Sequence, residues 1–140
     1  MASKREQVLQ ALHARLQSLP LVKVERNRLR PERLPPEGLI ILRDGDVGEP
    51  EILLSPLSYV WTHAARIEAF SGAGDPDGHL DDLLMAIATA LTADPTLGGL
   101  VDLIDVGAPD FDAAAPEGGP DVKAAIVSVR LIYETAHPLN

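Results

Sequence analysis

At 140 residues, with 46% hydrophobic and 24% charged side chains, the chain is long enough to bury a core and reads as one globular domain over residues 1–140. It has no cysteine, which excludes disulfides, thiolate metal sites and cysteine nucleophiles. The formal charge of −9 speaks against a nucleic-acid surface, no apolar run nears the roughly 20 residues of a membrane span, and MASKREQ is no apolar signal region, so the expected setting is the cytoplasm where the chain is made.

Ser3-Lys-Arg-Glu6 has the form of a capping box, and Val8, Leu9, Leu12, Leu16 and Leu19 follow at helical spacing, predicting a helix over residues 4–18. Residues 21–25 alternate apolar and charged and read as a short strand. RNRLRPERLPPEG then breaks regular structure with three prolines and puts Arg26, Arg28, Arg30 and Arg33 on or beside a loop. The apolar run Leu39 to Leu42, the turn-rich RDGDVGEP and the apolar patch Ile52 to Leu54 read as a hairpin or meander. From Ser58 to Phe70 the residues alternate, with Tyr59, Trp61, His63, Ala65, Ile67 and Ala69 on one face of a long strand.

Leu80, Leu83, Leu84, Ile87 and Leu91 form a stripe that predicts a second helix over about residues 78–92, capped by Asp75 or Asp77 and stopped at Asp94-Pro95. A turn at Gly98-Gly99, a strand over residues 100–106 and an exposed, aperiodic loop over residues 107–121 come next. A strand over residues 122–134 closes the order as a central or heavily paired member. Helix, several strands, helix and two strands predict an α+β fold, an antiparallel or mixed sheet with both helices packed on one face.

The chemistry-bearing motifs fall short. FSGAGDPDGHLDDLL places three glycines between strand and helix, but Gly72-x-Gly74-x-x-x-Gly78 is one residue too long for a dinucleotide fingerprint, and Asp75, Asp77, Asp81 and Asp82 would repel a phosphate. Asp44-Gly-Asp46 and Asp75-Pro-Asp77-Gly78 lack the acidic twelfth position of a calcium loop. His13, His63, His79 and His137 have no metal-binding spacing, and Ser71 sits outside any nucleophile elbow. No cofactor and no catalytic residue is expected, and His63 reads as a structural histidine on a sheet.

Charge is unevenly placed. Residues 1–43 carry nine bases and four acids, a net +5, whereas residues 44–140 carry three bases and 17 acids, a net −14. If the fold keeps these parts on different sides, the basic side of one copy can meet the acidic side of the next, a heterologous contact that builds rings or filaments. On charge alone the candidate subunit-interface residues are Arg26, Arg28, Arg30 and Arg33 against Asp102, Asp105, Asp110 and Asp112.

ALHARL, VERN, LPPEGLIILRDGD, YVWTHAARIEAFSG, LDDLLMAIATAL, ADPTLGGLVDLIDVGAP and VKAAIVSVRLIYETAHPLN, in this order, resemble the tail terminator proteins of long-tailed phages and related gene transfer agents. The ADPTLGGLVD turn and the terminal VRLIYET carry most of the likeness, which spans nearly the whole chain. The resemblance implies a virion protein without enzymatic activity, made in the bacterial cytoplasm. It implies a ring of six copies at the head-proximal end of the tail tube, which stops tube polymerisation and docks the filled head. Partners would be further copies of the chain, the tail tube protein and a head-completion or neck protein, with neither nucleic acid nor membrane. In that role residues 44–51 and 107–121 would order only on meeting a partner. The alternatives are a neck or head-completion protein of the same particle, and a small cytoplasmic enzyme or ligand-binding domain with His63, Arg66 and Tyr59 lining a pocket between sheet and helices.

Overall fold

The computed structural model describes residues 1–20, 22–29, 33–72, 74–111 and 122–140. Along the chain lie α1 (Lys4–Gln17), β1 (Lys23–Arg26), β2 (Leu39–Asp46), β3 (Glu51–Leu54), β4 (Leu57–Ser71), α2 (Pro76–Ala93), β5 (Leu103–Val106) and β6 (Lys123–Thr135). The strands make one mixed sheet in the order β1-β2-β4-β6-β5, with β3 also paired to β4. β1 runs parallel to β2, and the other pairings are antiparallel. This is the α+β architecture expected from the order of segments.

Each helix begins as its sequence demands. Ser3 Oγ accepts the amide of Glu6 at 3.1 Å, while the Glu6 carboxylate turns away from the reciprocal bond of a full capping box and accepts from Arg26 and Gln10. Asp75 caps α2 by accepting the amide of Gly78, and Pro76 opens the first turn. The aspartate thus occupies the helix end where a phosphate would otherwise sit.

Val8, Leu9, Leu12 and Leu16 of α1 and Leu80, Ile87 and Leu91 of α2 share a core with Ile40, Leu42, Trp61, Ala65, Ile67, Ala69, Ala125, Val127, Val129, Leu131 and Tyr133. The β4 and β6 members are alternate residues, so both helices lie on one face of the sheet. Leu39 and Ile41 point the other way and pack with Phe70, Ala124, Leu34 and Ile126 in a second, smaller core. Leu39 to Leu42 is apolar without alternation because both faces of β2 are covered there.

The structure corrects the expected hairpin. β2 does not turn back at Arg43 but continues to Asp46, and β2 and β3 lie one after the other along the same edge of β4. A strand of 15 residues offers an edge too long for β2 alone. The hairpin joins β3 to β4, with Leu54 opposite Leu57 across a turn that contains the cis Ser55-Pro56 bond. β2 is carried past Arg43 by a register shift between Arg43 and Asp46. Gly45 allows that shift, since its φ is +72° and a Cβ there would overlap the Ala64 carbonyl oxygen. Of the expected exposed loop over residues 107–121, residues 112–121 lie outside the described residues. Before them, the Gly107 amide donates to Ser128 O at 2.9 Å and Asp110 bridges Ile126.

Gly98 has nearly the same φ, +69°, but open space around it. Gly98→Ala is therefore expected to cost about 1 kcal/mol from backbone conformation alone, and Gly45→Ala about 3 kcal/mol because steric overlap adds to it. Urea unfolding of the two variants side by side checks the difference, and equal losses would contradict the close approach at Gly45.

Candidate functional site

Most interior polar groups have internal partners, His13 Nε2 being the exception among the described residues. His63 is buried, and its Nε2 lies 2.6 Å from the Asp44 carbonyl oxygen, which can only accept. Nε2 therefore carries the proton, and Nδ1 accepts from the Tyr133 hydroxyl at 3.0 Å. Burial pushes the His63 pKa down, opposed by the Asp44 hydrogen bond and the Asp44 and Asp46 charges. Burial also pushes the Tyr133 hydroxyl up to about 12. The Trp61 indole N–H donates to Thr135 Oγ1 at 2.9 Å, and that hydroxyl donates to the His137 carbonyl. Ser71 and His79 Nδ1 share a hydrogen bond of 2.6 Å that ties the end of β4 to the first turn of α2. A serine–histidine pair is the start of a nucleophilic site, yet Ser71 is wholly buried and has no path to a substrate.

The pocket expected between sheet and helices does not form from His63, Arg66 and Tyr59. Residues 63 and 66 are an odd number apart on one strand and point to opposite faces, His63 into the core and Arg66 into solvent. An open groove of about 590 Å³ instead lies on the helix-free face, among Asn27, Arg43, Asp44, Asp46, Arg66 and Ser128. It mixes both signs of charge and encloses little. No group of three histidine, aspartate or glutamate side chains among the described residues is placed to hold a metal.

The residues nominated by charge have different fates. Arg26 is the end of β1 and faces inward. Its Nη1 and Nη2 donate to Glu6 at 2.7 and 2.9 Å, and its Nε and Nη2 donate to Asp44 at 2.8 and 2.9 Å. These bonds hold both carboxyls below their usual range against the opposing effect of burial, and they raise the Arg26 pKa further. Arg28 is exposed and pairs with Glu25 at 3.0 Å, and Arg33 is exposed. Asp105 accepts from Arg130, its cross-strand partner on β6. Asp102 is exposed, with its amide on Ile132 O, and Asp110 forms the bridge to Ile126. Arg30 and Asp112 lie outside the described residues. Because Arg26–Asp44 and Arg43–Glu68 join the basic and acidic parts of the chain within one molecule, part of the charge asymmetry is neutralised inside it.

The larger anomaly is apolar. All four residues of β3 are exposed, and on the helix side of the hairpin Ile52 is 55%, Leu54 80% and Leu57 53% exposed. At the opposite edge of the sheet Val106 of β5 is 45% exposed, beside an apolar cleft of about 370 Å³ formed by Ala88, Leu91, Thr92, Pro95, Ile104 and Val106. Burying a leucine side chain is worth roughly 1.5–3 kcal/mol, so covering these side chains would be favourable. In the sequence the patch Ile52 to Leu54 reads as part of an ordinary hairpin or meander. The usable signal was EILLSPL, in which the apolar residues do not alternate with polar ones. Compared with known proteins, the chain matches no family model and no curated sequence.

Two outcomes follow for stability. Arg26→Met leaves Glu6 and Asp44 without their shared cation and is expected to cost about 1–3 kcal/mol, less at high salt because all three groups are partly exposed. His63 is neutral when folded and takes up a proton more readily when unfolded. Stability is then full above its ordinary value of 6.5 and falls as the pH drops through it, and Glu6 and Asp44 remove a further portion below 4.5 and 3.8. Urea midpoints between pH 8 and 3 should show both stages, and His63→Gln should remove the first and keep the second. A midpoint in the parent chain that is flat from pH 8 to 5.5 would refute the buried neutral imidazole.

Proposed function

We propose that this protein is an assembly subunit and not a catalyst. It caps the head-proximal end of a phage or phage-like tail tube as a ring of six copies, ends tube growth, and forms the surface to which the filled head is joined. The observation that carries the reading is the contrast between inside and outside. The buried His63, Tyr133, Trp61 and Ser71 are taken up by internal hydrogen bonds, His63 with Tyr133, Trp61 with Thr135 and Ser71 with His79, whereas large apolar side chains stand in solvent at both edges of the sheet. An enzyme needs the reverse, reactive groups exposed in an enclosed cavity. The order of segments that resembles the tail terminators supplies the identity of the assembly.

Within this reading Arg28 and Arg33 offer exposed positive charge toward neighbouring copies, and Asp102 and Asp110 offer the negative side, while Asp105 is held by Arg130 of its own subunit. Arg26 serves its own subunit. Rim charges act mainly on encounter rate and register, so their effect should weaken as salt is raised.

The decisive experiment mixes the purified chain with polymerising tail tubes and follows them by electron microscopy. Tubes of arrested length with extra density at one end are expected. Undisturbed tubes, or attachment to head portals in their place, would reject the terminator role. Arg28→Glu with Arg33→Glu should slow cap formation about tenfold at low salt and little at high salt.

A further inference from the structure

We infer that the β3–β4 hairpin of one copy inserts its apolar tip into the α2–β5 cleft of the next copy. This contact rests on the proposal that the chain assembles with itself, and it names the surfaces that do so.

The hairpin is an overhang of the core face. The last β4–β6 pair is Tyr59 with Thr135, so Leu57 and the turn beyond it have β3 as their strand partner. Opposed residues of an antiparallel pair point to the same side. Ile52 with Tyr59 and Leu54 with Leu57 therefore continue the face on which Trp61 and Ala65 are buried beneath the helices. A two-stranded ribbon is marginal in water, and one with leucines at its tip calls for cover.

The cleft is the matching deficit. Among the described residues α1 lies against β1 and α2 mainly against β4 and β6, and the helix side of β5 keeps a half-buried Ile104 and an exposed Val106. No ionisable side chain lines the cleft, and none lies between Ile52 and Leu57, so insertion would desolvate no charge on either partner. Hairpin and cleft lie on opposite edges of one sheet and on the same face of it. One copy cannot fill its own cleft. Two copies about a two-fold axis would fill each other's clefts and stop at a dimer, and a cross-linked product ending at two copies would overturn the ring; the head-to-tail contact inferred here, with a rotation that closes, gives a ring.

The chain has no cysteine, which makes cross-linking clean. In Leu54→Cys with Ala88→Cys, oxidation of the concentrated or tube-bound protein should join successive copies into a ladder that ends at the closed ring, while either single variant stays unlinked. Leu54→Asp with Leu57→Asp, at positions already exposed, should keep the native circular dichroism and weaken self-association by at least about 100-fold in sedimentation velocity. Dimers from Leu54→Cys alone would mean hairpin meeting hairpin and would overturn the contact. So would native self-association of the double aspartate variant, or loss of tube binding with self-association intact, which would make the tube protein the occupant. Caps that form without the cross-link leave the terminator reading standing and remove this contact. A cross-linked ladder that leaves tubes uncapped does the opposite.

Discussion

The mismatch in length between strands and helices governs this molecule. The β4–β6 ladder runs without interruption from Tyr59 opposite Thr135 to Ser71 opposite Lys123, about 40 Å at about 3.3 Å per residue. α2, the longer helix, has 18 residues and spans about 27 Å. The helix-side residues of that ladder are buried from Trp61 to Ser71 and from Ala125 to Thr135, so the two helices are taken up by it and leave the apolar face beyond its end and at its edge uncovered. The uncovered remainder appears at one end as the β3–β4 hairpin and at one edge as the cleft beside β5. Exposed leucines that look like a defect of the single chain follow from its geometry.

At the margin of the helix-covered region the chain uses polar ties where apolar cover runs short. Glu6 on α1, Arg26 on β1, Asp44 on β2, His63 on β4 and Tyr133 on β6 form one hydrogen-bonded series across five elements. Arg26 joins helix to sheet, and the Asp44 carbonyl passes the connection to the imidazole. This depends on β2 continuing beyond Arg43, which in turn depends on Gly45. A polar series of this kind is unforgiving of substitution, because each member left alone is a partly buried group without a partner. It fixes the base from which the hairpin projects.

Much of the fold was legible in the sequence because it follows from period and punctuation. The Leu80–Leu91 stripe, the alternation from Tyr59 to Ala69, Ser3 and Asp75 as caps, and the long final strand all appear where those signals put them. Two features were not legible, for the same reason. Gly45 looks like a turn residue, since a glycine with positive φ serves a turn and a bulge equally well, and only the nearby Ala64 carbonyl separates the two. Arg26 looks like an exposed cation in a basic stretch, and only the arrival of Glu6 from 20 residues before and Asp44 from 18 residues after turns it inward. Pattern along the chain reports local geometry, and long-range partners lie beyond it. The exposed hairpin is the intermediate case. Its lack of alternation was visible, but an apolar run reads equally as a strand covered on both faces, which is what Leu39 to Leu42 proves to be.

The uneven charge of the sequence acquires a narrower role once the fold is known. Arg26–Asp44 and Arg43–Glu68 join the basic and acidic parts of the chain inside one subunit, so part of the +5 and −14 of the linear sequence is neutralised within it. What remains on the outside, Arg28 and Arg33 among the bases, is solvated and screened over about 8–10 Å at physiological salt. Charges in that setting steer approach and reject wrong registers, and they contribute little to holding a ring closed. In the proposed ring the holding energy would come from apolar burial. The residues able to supply it are those the two helices leave uncovered.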